Sequence, residues 1–107
     1  MIYEWRVYEV PAGKMANINA RFANITIKLF EKHGIKVVGF WEAIVGQSNT
    51  LYYMIAFKDL AHREESWNAM MSDPEWLKAR VETEKDGPIV SRVTNMLLRP
   101  TPYSPLQ

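Results

Sequence analysis

Three polar residues spaced by seven, Asn19, Thr26 and His33, interrupt an otherwise apolar part of a predicted helix. At 100° per residue they fall on one side of that helix, in the middle of the face that should be buried. One interpretation is a ligand-binding pocket between helix and sheet, with His33 as the best candidate for a catalytic acid, base or ligand. In the other, Asn19 and Thr26 bond to loop backbone and His33 only ends the helix.

A second polar set, Glu4, Arg6 and Tyr8, shares one face of a predicted strand. Arg6 could there bind an anion or a polar substrate. A structural ion-pair network at a dimer interface, in which Arg6 meets Glu4 or Glu42 from either chain, is the favoured interpretation because unpaired buried charge is so costly.

Aromatic residues could form a ligand box, although such residues more often belong to a core or an interface: Trp41, Trp67, Trp76, Tyr52 and Tyr53. Of these, Trp41 and Tyr53 are candidate ligand contacts, as Arg6 is. The two histidines, His33 and His62, lack metal-ligand spacing, and the chain has no cysteine. It also has no phosphate loop, nucleophile elbow or zinc motif, so we expect no metal and no cofactor.

The composition indicates one globular domain spanning 1–107, with 48% hydrophobic and 23% charged residues. A net charge of +1 gives no electrostatic reason to expect nucleic acid or an anionic membrane as partner. No apolar run approaches the roughly 20 residues that span a bilayer, and the first residues do not resemble a signal peptide. We therefore expect a soluble, cytoplasmic protein.

Alternation and turn residues predict four strands and two helical regions. The strands are Ile2–Val10, a hairpin of Lys36–Trp41 and Leu51–Phe57, and Ile89–Leu98. The helical regions are Lys14–His33 and a second that begins near Leu60 and restarts at Pro74. The order β-α-β-β-α-β predicts an α+β, ferredoxin-like fold with a four-stranded antiparallel sheet.

Helix boundaries and faces follow from residue type and spacing. Gly34 should end the first helix, Asp59 and Asp73 should cap the later ones, and Pro74 suits a first helical position. The first helix is predicted to have two apolar stripes, formed by Met15, Ile18, Phe22, Ile25 and Leu29 and by Ala16, Ala20, Ala23, Ile27 and Phe30. Its predicted solvent face consists of Asn17, Arg21, Asn24, Lys28 and Glu31. The predicted apolar positions of the later helices are Leu60, Trp67, Met70 and Met71, and then Trp76, Leu77 and Val81.

The run Leu51–Phe57 is uncharged and apolar on both faces, so both faces of this strand need cover. Two helices can cover only one face of the sheet. We therefore predict a homodimer in which two sheets pack face to face as a dimeric α+β barrel. Residues 99–107, with three prolines, are predicted to form an extended arm that reaches across the partner.

Several motifs together resemble the NIPSNAP family. They are Tyr3-Glu4-Trp5-Arg6-Val7-Tyr8, Pro11-Ala12-Gly13-Lys14, His33-Gly34, Val37-Val38-Gly39-Phe40-Trp41, Asp73-Pro74-Glu75-Trp76 and Leu98-Arg99-Pro100-Thr101-Pro102-Tyr103-Ser104-Pro105-Leu106. The resemblance covers essentially the whole chain and implies a dimeric α+β barrel, but no settled activity. Relatives often carry His-Leu-Trp at the position of Tyr53-Met54-Ile55, so no role of that histidine or tryptophan is carried over.

Two functions are consistent with these features. The first is a homodimeric binding or interaction module with a hydrophobic pocket between helix and sheet. The alternative is a cofactor-independent enzyme, monooxygenase- or isomerase-like, that acts on a small hydrophobic or aromatic substrate. An enzyme should need His33, whereas a binding module should not.

Overall fold

The structure is a computed structural model that describes residues 1–107. It confirms the predicted ferredoxin-like order, and the second helical region consists of two helices. The elements are β1 (Ile2–Glu9), α1 (Met15–Arg21), a π-helical turn (Phe22–Thr26), α2 (Ile27–Lys32), β2 (Lys36–Glu42), β3 (Thr50–Phe57), α3 (Leu60–Met71), α4 (Pro74–Thr83) and β4 (Arg92–Leu98).

The four strands form one antiparallel sheet in the order β2-β3-β1-β4. In the register between β1 and β3, Glu4 lies opposite Ile55 and Arg6 lies opposite Tyr53. Because opposed residues of an antiparallel pair share a face, Glu4 and Arg6 lie on the same side as the buried centre of β3. This side carries the helices, and we call it the covered face.

The hydrophobic core lies between the covered face and the helices. It includes Ile18, Phe22, Leu29, Phe30, Tyr53, Ile55, Phe57 and Met70. Burial of these large side chains is the main stabilising contribution to the fold.

The opposite side of the sheet, which we call the open face, has no helix over it. Trp5, Trp41 and Tyr52 form an aromatic cluster there, with ring centroids 5.9 Å apart in both Trp5 pairs. Trp41 is 48% exposed, and Met96, which lies opposite Trp5, is 50% exposed. The Trp41 ring lies over Gly39, where an added Cβ would come within 2.7 Å of it. Glycine at this position therefore lets a large aromatic ring lie flat on the sheet.

The predicted helix ends are confirmed. Gly34 has a φ of 72°, and Ile35 N–H donates to the Phe30 carbonyl at 2.8 Å, as in a Schellman motif. Asp59 accepts from the His62 backbone N–H, and Asp73 accepts from that of Glu75, both at 2.8 Å.

The first helical region departs from the prediction at its middle, where five residues, Phe22–Thr26, form a π-helical turn. A π turn holds one more residue than an α-helical turn, so a face drawn at 100° per residue loses its phase there. Arg21, predicted on the solvent face, is buried at 6% exposure. In the predicted second stripe the alanines and Ile27 are exposed, and only Phe30 is buried.

The later helices also bury less than predicted. Leu60 is 62% exposed, and Leu77 and Val81 are exposed as well, whereas Met70 and Trp76 are buried. Leu60 occupies the first turn of α3, beyond the edge of the core.

Residues 99–107 form neither helix nor strand. The tail turns at Thr101–Ser104, and the Tyr3 hydroxyl donates to the Gln107 carbonyl at 2.7 Å. It thus lies against its own β1, and its predicted reach across a partner stays a prediction. None of the helices has the length and apolar character needed to span a bilayer.

Candidate functional site

A buried charge network lies on the covered face, centred on Glu4. Its carboxylate accepts hydrogen bonds from Arg6 Nη1 at 2.7 Å, Arg63 Nε at 2.7 Å and Asn95 Nδ2 at 2.9 Å. Glu4 is fully buried. Burial alone would raise the pKa of Glu4, but the hydrogen bonds from Arg63, Asn95 and Arg6 outweigh it and hold the pKa below its usual range.

Arg6 is held from several sides. Its Nε donates to the Tyr53 hydroxyl at 2.6 Å, and that hydroxyl donates to the Tyr8 hydroxyl at 3.0 Å. The guanidinium carbon lies 4.5 Å from the centroid of the Trp67 ring, a cation–π distance. Burial raises the pKa of Tyr53 well above its usual value, so the hydroxyl keeps its proton and can donate.

The location predicted for this network, a dimer interface, is wrong. Glu4, Arg6 and Tyr8 share a face as predicted, but that face lies under the helices of the same chain. Arg63, on α3, provides the second cation that Glu4 needs. Glu42, the other predicted partner, is exposed and makes no ion pair.

A cavity of about 260 Å³ opens beside Arg6, between the sheet and the helices. Eight of its 15 lining residues are hydrophobic, among them Phe30, Trp67, Met70 and Trp76. The ionisable lining residues other than Tyr8 are Arg6, Arg21, Arg80, Arg92 and Glu84. The cavity therefore combines apolar walls with a clear excess of positive charge.

Arg21, the residue directly before the π turn, is part of this cavity wall. Its Nη1 donates to Thr83 Oγ1 and to Glu84 Oε2, both at a long 3.4 Å, and its guanidinium carbon lies 5.1 Å from the Trp76 ring centroid. Burial lowers the pKa of Arg21, with the Glu84 carboxylate opposing the change. An arginine keeps its charge at neutral pH even so, and this side chain is therefore a buried cation with weak partners.

The structure brings only some of the predicted site residues together. Arg6 and Thr26 line the cavity. Tyr53 does not line it, but its hydroxyl accepts a hydrogen bond from Arg6. Asn19 is not part of the cavity wall, and Trp41 lies on the open face. The polar row is therefore divided, with only Thr26 at the cavity.

His33 is held away from this cavity by Asp73, the cap of α4. Its Nε2 lies 2.7 Å from Asp73 Oδ2, which also accepts from Lys32 Nζ at 2.9 Å. Hydrogen bonds from Lys32 and His33, together with the backbone N–H of Glu75, hold the pKa of Asp73 well below its usual range. This cluster joins the end of α2 to the start of α4.

Sequence reasoning proposed Arg6 as a site residue but missed the other three arginines of the cavity wall, Arg21, Arg80 and Arg92. Arg80 and Arg92 are charged residues of a helix and a strand edge, where a solvent position is the ordinary expectation. Arg21 gave no local signal either, because its partner Glu84 is 63 positions away in the sequence. Trp67 and Trp76 were candidates for an aromatic ligand box but were expected in the core, and both line the cavity.

The family model for NIPSNAP matches residues 3–105. The chain belongs to the NIPSNAP family. Protein NipSnap homolog 1 of Danio rerio is 29% identical over 106 residues, which cover 99% of this chain and 36% of that protein. The chain thus spans about a third of the length of this NIPSNAP relative.

Solved structures agree with the family and the fold. A NIPSNAP family protein of unknown function from Agrobacterium tumefaciens superimposes with a TM-score of 0.88 at 26% identity, covering 100% of this chain and 94% of that one. A putative antibiotic biosynthesis monooxygenase from Nitrosomonas europaea superimposes with a TM-score of 0.60 at 14% identity, covering 100% of both chains. The second similarity shows only that the NIPSNAP chain shares this fold.

Proposed function

We propose that this NIPSNAP-family chain is a homodimeric binding module that holds a small, largely hydrophobic ligand between its helices and its sheet. The cavity beside Arg6 is the observation that carries the proposal, since it is concave, mostly apolar and lined by a few polar groups. Ligand-binding sites in proteins commonly have this character. The 260 Å³ volume suits a ligand smaller than a drug-sized molecule.

The homodimer is supported by the open face. Trp41, Met96 and Leu98 are all more than a third exposed on this one side of the sheet. A two-fold axis would cover both open faces with one self-complementary contact, and a partner on that side would leave the cavity on the covered side free. We expect the interface to bury roughly 2,000 Å² or more. Light scattering should give a mass near twice the 12.5 kDa chain.

The second candidate is a cofactor-independent enzyme, monooxygenase- or isomerase-like, acting on a small hydrophobic or aromatic substrate. The fold shared with the Nitrosomonas europaea protein favours it, but a fold alone does not determine chemistry. Neither His33 nor His62 lines the cavity, which leaves Tyr8 and Glu84 as its groups able to exchange a proton. We expect His33→Ala to weaken the Asp73 cluster and leave ligand binding unchanged. Turnover of a bound compound by the wild-type protein would favour the enzyme.

Ligand-observed NMR with a panel of small aromatic and aliphatic compounds, neutral and acidic, tests the binding function. Ser91 lines the cavity and is itself exposed, so Ser91→Trp should block the opening without disturbing the core. Ser48→Trp, on the exposed hairpin loop, is the matched control. We expect binding to the wild type and to Ser48→Trp, and loss of binding in Ser91→Trp. Absence of any bound compound, or equal binding by all three proteins, would contradict the proposal.

A further inference from the structure

One edge of the Arg21 guanidinium lacks partners. Both hydrogen bonds of Arg21 leave from Nη1, at 3.4 Å, whereas Nε is buried without a partner and Nη2 donates none. Nε and Nη2 lie on the same edge of the planar group. Two parallel N–H groups on one edge are the arrangement that binds both oxygens of a carboxylate.

A second buried donor of the same cavity wall also lacks a partner. Trp76 is 8% exposed and its Nε1–H makes no hydrogen bond. These are the two buried side-chain polar atoms of the chain that have no partner, and both belong to residues that line this cavity. Since a buried unpaired donor costs free energy, their occurrence together points to an acceptor that is bound there in function.

The charge of the surroundings defines the acceptor as an anion. Arg6, Arg21, Arg80 and Arg92 line the cavity against the single carboxylate of Glu84. Glu4 and Glu9, outside it, pair with Arg6 and Arg92. Glu4 is shared with a further cation, Arg63, so the pairing leaves an excess of positive charge. An anion entering the cavity would meet a favourable potential.

The walls limit the charge and the size of that anion. Phe30, Met70, Met71 and Trp67 offer apolar contact to the rest of the ligand. A doubly charged, strongly hydrated group such as phosphate would lose more solvation in such surroundings than a single carboxylate. An apolar body is needed to use the remaining volume of about 260 Å³.

We propose that the cavity binds a small monocarboxylate with an apolar body, whose carboxylate pairs with the Nε–Nη2 edge of Arg21 and accepts from Trp76 Nε1. The inference rests on the proposed binding function and names its ligand class. Nε is buried from water, so we expect the guanidinium to turn its free edge toward the cavity when the carboxylate binds.

The π turn gives this part of the helix its geometry. Thr26 Oγ1 donates to the Arg21 carbonyl at 3.4 Å, across the five-residue step of the π turn. Both residues line the cavity. π turns inside α-helices frequently occur at functional sites, and this one begins next to the proposed anion-binding residue.

The experiment compares each acid with its own amide on the wild-type protein. The probes are 3-phenylpropionate, indole-3-acetate and octanoate, each paired with its primary amide, and inorganic phosphate is a separate arm. Heteronuclear NMR follows the Trp76 indole N–H and the Arg21 Nε–H directly. We expect at least one acid to shift both resonances and to bind at least tenfold more tightly than its amide, with phosphate without effect.

Variants test the assigned donors. Arg21→Gln should weaken acid binding about ten- to hundredfold, because a charged hydrogen-bonded pair is lost. Trp76→Phe keeps the ring and should cost about three- to tenfold. Lys58→Gln removes one positive charge from an exposed site outside the cavity and should leave binding unchanged.

The outcomes separate this inference from the proposed function. Amides that bind as tightly as acids would overturn the carboxylate assignment while leaving a binding cavity in place. If phosphate binds and shifts the same two resonances, the site accepts inorganic anions rather than selecting an apolar monocarboxylate, and the inference is overturned. If no compound binds, both proposals fail. Because the comparison of acids with amides uses the wild-type protein, it tests the carboxylate assignment even if Arg21→Gln does not fold.

Discussion

The two faces of the sheet depart from the usual distribution of polarity in different ways. The covered face holds Glu4 and Arg6 under the helices, whereas the open face presents Trp41 and Met96 with roughly half of each residue exposed. Polar residues can be covered when every charge finds partners, as Glu4 does with three donor residues. Large apolar residues stay exposed when nothing in the same chain covers them. Charged residues therefore lie under the helices beside the apolar core because their charges are paired.

The largest expected effect is on the open face. Met96→Glu would place a charge at the proposed two-fold interface, and the symmetry would bury two of them. Burying each unpaired charge costs several kcal/mol, so we expect a folded monomer at micromolar concentration. Sedimentation or light scattering measures this.

The matched control for that change is Val81→Glu. Val81 is also apolar and exposed, but it lies on α4, away from the sheet. It should leave the dimer intact. A dimeric Met96→Glu protein, or a wild type that is already monomeric, would rule out the open face as the interface.

The sequence was sufficient for most of the fold. Alternation along the strands, the apolar run Leu51–Phe57 and the caps at Gly34, Asp59 and Asp73 depend on neighbouring residues, so local pattern predicts them. The orientation of the sheet was not available in this way. The burial of Glu4 on the covered face is compensated in part by Arg63, whose pairing with Glu4 spans 59 positions and has no local signature.

The candidate site was predicted less well, for a related reason. A regular helix was assumed for residues 14–33, and the π turn changes which positions face inward after Phe22. The assumption of a regular helix placed His33 at a pocket. Arg21 precedes the π turn and was placed in solvent because charged residues usually lie there. The structure instead buries Arg21 beside the cavity and bonds His33 to Asp73.

The next largest effect is expected on the covered face. Glu4→Gln keeps the shape of the side chain but leaves Arg6 and Arg63 without their shared carboxylate. We expect a loss of about 3 kcal/mol in the free energy of unfolding, since removing one partner of a buried ion pair typically costs this much. Urea denaturation measures it, with Glu42→Gln as the control at an exposed, unpaired position. A change below about 1 kcal/mol would show that the network contributes little.

The pH dependence of that difference follows from the lowered pKa of Glu4. Its stabilising contribution is fully present above the ordinary glutamate pKa in the unfolded chain, about 4.3, and is lost as the pH falls toward the lower folded-state pKa. The stability difference between the wild type and Glu4→Gln should therefore be constant between pH 6 and 7 and shrink below about pH 4. A difference that grows on acidification would contradict this assignment.

The smallest expected effect compares adjacent tyrosines of β3 that point to opposite faces. Tyr53→Phe removes the acceptor of Arg6 Nε and the donor to Tyr8, leaving a buried N–H unpaired. This should cost about 1.5 kcal/mol. Tyr52 makes no side-chain hydrogen bond and stacks on Trp5 at 5.9 Å, so Tyr52→Phe keeps its contacts and should change stability by less than about 0.5 kcal/mol. Urea denaturation of both variants at the same protein concentration isolates the difference between the faces. Equal losses would mean that both faces are stabilised alike, and the larger loss at Tyr52 would place the critical hydrogen bonding on the open face.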